Sequence, residues 1–288
     1  MQVSILGCGW LGLPLAKSLI EKGFSVNGST TSVEKIPILE SLGIQPSIVT
    51  LSAVEEQNNE NEIIPFLQNS EVLIINIPPK LRRDSVASLG MTFVEKIENL
   101  IPFIEKSSVK KVIFVSSTSV YGEIPLENAE VEKNSFTEEI LPNPDTESGK
   151  QLLEVEKILQ SNTHFKTTIV RFGGLIGNDR HPIYFLAGRK NIENPEAPIN
   201  LIHLEDCIGI IHEILRYAQN DNLVLNAVAP FHPSRKKFYS EKAIELNLPL
   251  PEFEEKNKVA GKIISSEKVE TVLNYKFQKP SLWIAMIL

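Results

Sequence analysis

The chain has 288 residues, of which 42% are hydrophobic and 23% charged, and its formal net charge is −7 at pH 7. This composition is ordinary for a globular protein and excludes a disordered, collagen-like or disulfide-stapled chain. No Lys/Arg-rich block offers a footprint for nucleic acid, and the two cysteines and five histidines lack metal-ligand spacing. No apolar run reaches the ~18 residues of a membrane span. We therefore expect a cytoplasmic protein with no metal and with neither nucleic acid nor membrane as partner.

Short apolar runs alternate with helical patterns along the first two thirds of the chain. The predicted strands cover residues 3–6, 24–27, 44–51, 72–77, 112–115 and 168–172, and the predicted helices cover 11–22, 91–104 and 150–159. Strands that alternate with helices indicate βαβ units and a parallel sheet that is covered on both faces. The sequence therefore predicts an α/β fold with a Rossmann-type, doubly wound parallel sheet.

A glycine motif of the form G-x-G-x-x-G follows the first predicted strand and opens the first predicted helix. It reads Gly7-Cys8-Gly9-Trp10-Leu11-Gly12. In this motif the first glycine permits a tight turn, the second lets a pyrophosphate approach the backbone, and the third lets helix and strand pack closely. The helix N-terminus adds N–H donors and a partial positive charge. The motif predicts that Gly7, Gly9, Trp10, Leu11 and Gly12 bind a dinucleotide; the alternative is a turn that merely needs small residues.

The second predicted strand is followed by hydroxyl side chains. An NAD site usually presents Asp or Glu there, about 20 residues after the glycine motif. This chain has Ser29, Thr30 and Thr31 instead, with Glu34 as the first acid and Lys35 beside it. Without a carboxylate at the usual position a 2′-phosphate is not repelled, and these hydroxyls with Lys35 would bind it. We predict NADP as cofactor, with NAD as the alternative.

Two stretches predict surface loops, and the chain divides after them. The acidic run 55–62 (EEQNNENE) is predicted to be a solvated surface loop, and the polar stretch 128–145 to be another loop. Beyond residue 177 prolines interrupt the helical and strand patterns. We therefore predict a dinucleotide-binding Rossmann domain over 1–177 and a smaller substrate lobe over 178–288, partly interleaved with the first.

Four further segments follow one another along the chain in the order found in a known family. They are 72–79 (VLIINIPP), 115–122 (VSSTSVYG), 171–177 (RFGGLIG) and 201–206 (LIHLED). Together with the glycine motif they resemble the extended short-chain dehydrogenase/reductases, the NAD(P)-dependent epimerase/dehydratase family, and within that group its atypical YeeZ-like branch. The resemblance spans nearly the whole chain.

The resemblance implies roles for particular residues. Ser117 stands where the family has its substrate-binding Ser or Thr, and His203 and Asp206 match a segment that usually shapes the substrate lobe. The remaining implied contacts are with the cofactor: Asn76, Ile77, Pro78 and Pro79 after the fourth strand, Ser116 beside the nicotinamide, and Phe172, Gly173 and Gly174 closing over its ring.

The catalytic pair of the family is where this chain departs from it. Typical members carry Tyr-x-x-x-Lys on one face of a helix, and the tyrosine exchanges a proton with the substrate oxygen. Alignment on Gly149 and Glu156 puts Ser148 at the tyrosine position and Leu152 at the lysine position, while Lys150 points to nearly the opposite side of the helix. A serine hydroxyl is a far weaker acid than tyrosine, whose pKa is about 10. A register shifted to Thr146 and Lys150 restores the lysine but still offers no tyrosine, so the usual proton relay is absent in either alignment.

Two functions remain open on the sequence. The first is an NAD(P)-dependent oxidoreductase or epimerase in which Ser117 holds a carbonyl or carbinol substrate and Ser148, Tyr121 or water moves the proton. For Tyr121 the alternative is a pocket wall. The second is a non-catalytic NADP(H)-binding sensor or regulatory module. The sequence does not identify the small-molecule substrate, and it is compatible with a homodimer.

Overall fold

The computed structural model describes residues 1–51, 56–79, 91–124, 135–177, 179–217, 222–256 and 261–282. The strands are β1 (Gln2–Leu6), β2 (Ser25–Thr30), β3 (Gln45–Ile48), β4 (Val72–Ile75), β5 (Lys111–Ser117), β6 (Ser135–Phe136), β7 (Lys166–Phe172), β8 (Gly174–Ile176), β9 (Leu201–His203), β10 (Val224–Ala227) and β11 (Ile263–Ile264). Seven of them form a parallel sheet in the order β10-β7-β5-β4-β1-β2-β3. The predicted Rossmann-type fold is confirmed.

Helices connect these strands. They are α1 (Gly12–Glu21), α2 (Ile36–Ser41), α3 (Glu56–Leu67), α4 (Phe93–Lys106), α5 (Glu147–Ser161), α6 (Ile183–Leu186), α7 (Leu204–Arg216), α8 (Arg235–Glu245) and α9 (Glu267–Leu273). None of the helices formed by the described residues is long and apolar enough to cross a membrane.

The central strands are buried because they are apolar at successive positions. All four residues of β4 are buried, as expected for a strand covered on both faces. In the register of the sheet Val3 of β1 lies beside Val26 of β2 on one side and Val72 of β4 on the other. This register sets where the carboxyl ends of β1, β2 and β4 lie relative to one another, and with them the candidate site.

The prediction of a loop over 55–62 is wrong for the residues that are described. Helix α3 begins at Glu56 and includes the rest of the acidic run. Its apolar residues come later, where Ile63, Phe66 and Leu67 are all buried. Their spacing of three and four residues places them on one helical face. The polar run is therefore the leading part of an amphipathic helix, while Glu55 lies outside the described residues.

The predicted loop over 128–145 is partly corrected. Ser135 and Phe136 form β6, which pairs in parallel with Ile263 and Ile264 of β11. The residues 128–134 lie outside the part of the chain that the structure describes.

The chain forms two compact units that alternate along it. Unit 1 comprises Met1–Ser116, Thr146–Val170 and Ile211–Val224, and unit 2 comprises Ser117–Asp145, Arg171–Ile210 and Leu225–Leu288. Unit 2 has an apolar core of its own, which includes Ile176, Ile183, Leu201 and Phe238. The sequence alone predicted a division after residue 177 with some interleaving.

Two buried histidines make the stability depend on pH. Burial lowers the pKa of His181 and of His212 to about 4 in the folded chain, from 6.5. The unfolded chain binds more protons between these values, so the stability that each histidine contributes is present above pH 6.5 and is lost as the pH falls toward 4. We expect each to cost about 2 kcal/mol between pH 7 and pH 4.5.

Urea unfolding at both pH values checks this expectation. His181→Gln and His212→Gln should each reduce the acid-induced loss of stability. An equal loss in both variants and the native chain would show that other groups govern acid unfolding.

Candidate functional site

The glycine motif forms the turn between β1 and α1, and its three glycines have different surroundings. Gly7 has a φ of +103°, and a Cβ added there would lie 2.6 Å from the carbonyl oxygen of Asn76. A Cβ added at Gly12 would lie 2.1 Å from the carbonyl oxygen of Gly7. At Gly9, by contrast, an added Cβ would have no neighbouring atom within 4 Å. The outer glycines are required by backbone packing, whereas the middle one borders open space, which fits a pyrophosphate approaching the backbone.

Side chains from two neighbouring strands hold this loop. Asn76, directly after β4, donates from Nδ2 to the Gly7 carbonyl oxygen at 3.0 Å. Ser29 of β2 accepts the Gly7 N–H at its Oγ at 2.8 Å, and its carbonyl oxygen accepts the Cys8 N–H at 2.9 Å. The structure shows both residues bonded to the glycine loop, and their predicted contact with the cofactor stays a prediction. This support was missed because it depends on the pairing of β1 with β2 and β4.

Cys8 fills space inside the glycine loop. Its side chain is buried, and a Cβ added at Gly28 would lie 2.7 Å from its Sγ. Burial raises the pKa of the Cys8 thiol to about 12. The thiol is therefore protonated at neutral pH, and thiolate chemistry is not supported there.

The turn after β2 presents both a carboxylate and an ammonium group. Thr30 is buried and its Oγ1 accepts the Ser32 N–H at 3.1 Å, whereas Thr31 and Lys35 are exposed. The Ser32 hydroxyl donates to the Glu34 carboxylate, which lowers the pKa of that exposed group. The groups that reach the surface of this turn are therefore Thr31, Glu34 and Lys35, and not all the hydroxyls that were predicted.

The remaining residues predicted near the glycine loop differ in exposure. Trp10, Ile77 and Pro79 are half-buried, Pro78 is exposed, and Leu11 is buried.

Helix α5 carries the positions of the family's catalytic pair. Thr146 caps its N-terminus, where the Gly149 N–H donates to Thr146 Oγ1 at 3.1 Å. Ser148 is half-buried in the first turn and Lys150 is exposed, while Leu152, at the lysine position, is only 5% exposed. An apolar side chain thus occupies the position that the sequence alignment assigns to the lysine, and the loss of the catalytic pair stays a prediction.

Ser116 lies against the same helix. It is buried, and its hydroxyl donates to Glu156 Oε1 at 2.5 Å. Glu156 is itself buried one turn beyond Leu152. The Ser116 side chain therefore links β5 to α5 within unit 1, and its predicted place beside the nicotinamide stays a prediction.

In unit 2, Tyr121 stands in a buried polar network. Its hydroxyl accepts from Arg171 at 2.7 Å and lies 3.1 Å from Asn226 Oδ1 and 3.2 Å from the Thr137 carbonyl oxygen. The Arg171 guanidinium also lies 5.1 Å from the centre of the ring. Burial raises the pKa of Tyr121, which is 1% exposed. This environment favours the pocket-wall alternative over a proton donor.

Ser117 begins the segment that leads to Tyr121. Its Oγ accepts the Ser119 N–H at 3.1 Å and so caps a short 3₁₀ turn over Thr118–Val120. The side chain is half-buried, and its hydroxyl hydrogen has no acceptor among the hydrogen bonds of the described residues. Its hydroxyl hydrogen therefore remains available to a ligand, and its predicted contact with the substrate stays a prediction.

The glycines after β7 bring backbones of unit 2 together. The Gly173 N–H donates to the Ala227 carbonyl oxygen at 3.0 Å, and the Gly174 N–H donates to the Asn200 carbonyl oxygen at 2.8 Å. A Cβ added at Gly173 would lie 2.7 Å from the Asn200 carbonyl oxygen. Phe172 beside them is 2% exposed. These residues have a packing role, and their predicted contact with the nicotinamide stays a prediction.

A cavity of about 370 Å³ lies elsewhere in unit 1. Its lining includes Gln68 and Asn69, which precede β4, and Ser107 and Ser108, which precede β5. It therefore lies toward the amino ends of these strands, whereas the glycine loop follows the carboxyl end of β1. The described residues contain no cluster of side chains suited to hold a metal ion.

The seven-stranded parallel sheet and the glycine turn between β1 and α1 define a Rossmann-type α/β protein. The chain belongs to the YeeZ family: it is 32% identical over 280 residues to Protein YeeZ of Escherichia coli (strain K12), covering 97% of this chain and 96% of that protein. None of the protein-family models matches the chain.

Solved structures share the fold. A protein from Methylobacillus flagellatus described as an NAD-dependent epimerase/dehydratase has a TM-score of 0.75 at 22% identity, covering 97% of this chain and 94% of that one. UDP-glucuronic acid 4-epimerase from Bacillus cereus, in complex with UDP-glucuronic acid and NAD, has a TM-score of 0.77 at 17% identity, covering 96% and 94%. The resemblance identified from the sequence is confirmed.

Proposed function

We propose that the chain is a nicotinamide-dinucleotide-dependent oxidoreductase or epimerase that acts on a carbonyl or carbinol carbon of a small molecule. The observation that carries the proposal is the open space at Gly9 between two glycines that are packed against backbone. The NAD bound by the B. cereus epimerase, which shares the fold, supports the same cofactor class. When bound, the nicotinamide supplies reversible hydride transfer.

The residues of unit 1 bind and orient in this proposal. The backbone of the glycine loop and the N-terminus of α1 hold the pyrophosphate, because their N–H groups and the helix dipole favour an anion. Asn76 and Ser29 keep the loop in that shape through their hydrogen bonds to Gly7. Because the loop is already ordered, binding of the cofactor costs less conformational entropy.

The residues proposed for the chemistry are Ser117 and Ser148. The Ser117 hydroxyl holds the reacting oxygen of the substrate, while Ser148 acts through water as a hydrogen-bond donor. General acid–base catalysis contributes roughly 10²–10⁴-fold, and a serine at the tyrosine position supplies less. We therefore expect orientation of the substrate to contribute more to the catalytic rate than proton transfer does.

A panel of carbonyl compounds and nucleotide sugars, followed by NADPH and NADH absorbance and by product analysis for epimers, tests the proposal. Ser117→Ala should lower kcat/KM of the responding substrate by about 100-fold and Ser148→Ala by less than about tenfold. A larger loss in Ser148→Ala than in Ser117→Ala would reverse the assignment of these two serines.

A second function is favoured by the burial of Leu152. An apolar side chain at the lysine position suits a chain that binds NADP(H) without turning it over, as a sensor or regulatory module. The same panel separates the two functions. Tight dinucleotide binding with no hydride transfer and no epimerisation by any member would support the module and overturn the enzyme.

We further propose that the cofactor is NADP, and the turn after β2 allows a sharp test. Lys35→Ala should weaken NADPH binding about fivefold, because one exposed cation opposite the 2′-phosphate is lost, and should leave NADH binding unchanged. Glu34→Gln is the matched variant, because it removes a negative charge from the same turn and should strengthen NADPH binding. Calorimetric titration gives both affinities. Equal effects of either substitution on the two cofactors, or tighter NADH binding by the native chain, would contradict the preference.

A further inference from the structure

Lys262 of unit 2 binds the segment that follows Ser117. Its Nζ donates to the carbonyl oxygens of Tyr121, at 2.5 Å, and Gly122, at 3.3 Å, and lies 3.4 Å from Glu123 Oε1. The side chain is only 11% exposed. The three N–H donors of the ammonium group thus have three acceptors on consecutive residues, of which the Tyr121 carbonyl oxygen is the close one and the other two are longer contacts.

Hydrogen bonds from Asn200 hold the backbone at Lys262. Asn200 donates from Nδ2 to the Lys262 carbonyl oxygen at 2.8 Å and accepts the Ile264 N–H at its Oδ1 at 2.9 Å. Gly261 has a φ of +76°, and a Cβ added there would lie 2.6 Å from Pro198 Cδ. Asn200 therefore holds the backbone from Lys262 to Ile264, from which the lysine side chain reaches the segment over 121–123.

The segment over 117–123 meets the chain before α5 at its far end. A Cβ added at Gly122 would lie 2.4 Å from the Asn143 carbonyl oxygen, and the Glu123 N–H donates to Asp145 Oδ2 at 3.2 Å. Among the described residues that hold this end by hydrogen bonds, Lys262 is the one that contacts three consecutive residues. Loss of its ammonium group would leave two carbonyl oxygens of a partly buried backbone to find other donors.

We infer that Lys262 is a positioning residue for Ser117. Its ammonium group holds Tyr121, Gly122 and Glu123, and through the three-residue turn Thr118–Val120 it positions the Ser117 hydroxyl. The inference rests on the proposed function, which gives that hydroxyl the substrate oxygen. Lys262 itself touches no reacting atom in this assignment.

The experiment compares Lys262→Met, which removes the ammonium group but keeps the stem, with Lys262→Arg, which keeps a cation. Lys276→Met, at an exposed lysine of the same unit, is the matched control. Amide hydrogen exchange followed by mass spectrometry reports order in the peptides over 117–124. Steady-state kinetics with the responding panel substrate report kcat and KM, and calorimetry reports dinucleotide affinity.

Lys262→Met should raise exchange over 117–123 by about tenfold and little elsewhere, and should lower kcat by about tenfold with dinucleotide affinity unchanged. Lys262→Arg should restore most of the protection from exchange and most of kcat. Unchanged exchange over 117–123, exchange raised equally throughout unit 2, or no recovery by arginine would overturn the inference.

The two arms keep this inference distinct from the proposed function. A native chain that turns over no panel member contradicts the proposed function, while the exchange arm still decides whether Lys262 orders the segment. If Lys262→Met does not fold, Lys262→Gln, which keeps one N–H-donating group and loses the charge, takes its place with the same expected local exchange.

Discussion

Gly9→Val is expected to abolish dinucleotide binding while the chain remains folded. A Cβ at Gly9 has no neighbouring atom within 4 Å, so the folded chain has room for a side chain to begin there. The same side chain occupies the space through which a pyrophosphate reaches the backbone N–H groups of the loop. We expect NADPH and NADH affinities to fall at least about 100-fold, about 2.8 kcal/mol, in calorimetric titration.

Two variants show whether such a loss is specific. Gly12→Ala places a Cβ 2.1 Å from the Gly7 carbonyl oxygen, so it should lose stability together with binding. Ser41→Val, at an exposed residue at the end of α2, should change neither. Normal binding by folded Gly9→Val would mean that the open space at Gly9 is not where the cofactor lies.

Asp206→Ala is expected to cost about 3–5 kcal/mol of unfolding free energy, because it leaves three neutral donors without their acceptor. Asp206 is 0% exposed, and its carboxylate accepts from the Tyr275 hydroxyl at 2.8 Å, the Gln278 N–H at 2.6 Å and the Lys279 N–H at 3.1 Å. Gly209 leaves room for this contact, since a Cβ there would lie 2.4 Å from the tyrosine oxygen. Removal of the carboxylate leaves three hydrogen-bond donors without their acceptor, so each donor stays unsatisfied or must bind water instead.

The neighbouring acid provides the control for this variant. Glu205 lies 3.5 Å from Lys279 Nζ, but its side chain is 49% exposed. Glu205→Ala should therefore cost less than about 1 kcal/mol, because solvent screens exposed ion pairs. Urea unfolding of both variants at pH 7 gives the comparison. Similar losses for Asp206→Ala and Glu205→Ala would show that the buried carboxylate does not hold the segment 275–279.

The sheet was predictable because its strands carry a strong local signal. Four successive apolar residues in β4 and the glycine motif after β1 each indicate their structure without reference to the rest of the chain. Helix α3 was mistaken for a loop because its first residues are polar and its buried residues, Ile63, Phe66 and Leu67, come only at its end. The composition of the eight residues 55–62 does not reveal the helix, because the apolar face lies on the residues that follow them.

The candidate site was predictable only in part, because several of its contacts join residues far apart in the sequence. The glycine loop itself was predicted, but its support by Asn76 depends on the pairing of β1 with β4. The hydrogen bond between Tyr121 and Arg171 joins residues 50 positions apart, and that between Lys262 and Tyr121 joins residues 141 positions apart. No periodicity or local motif reports such contacts, which arise from tertiary packing.

Titration of the native chain with NADPH and with NADH, followed by calorimetry and by nicotinamide fluorescence, tests the central claim most directly. We predict saturable binding of one dinucleotide per chain, with NADPH the tighter, and loss of that binding in folded Gly9→Val. Absence of saturable binding of either dinucleotide to the folded native chain would contradict the claim that its glycine loop is a dinucleotide site.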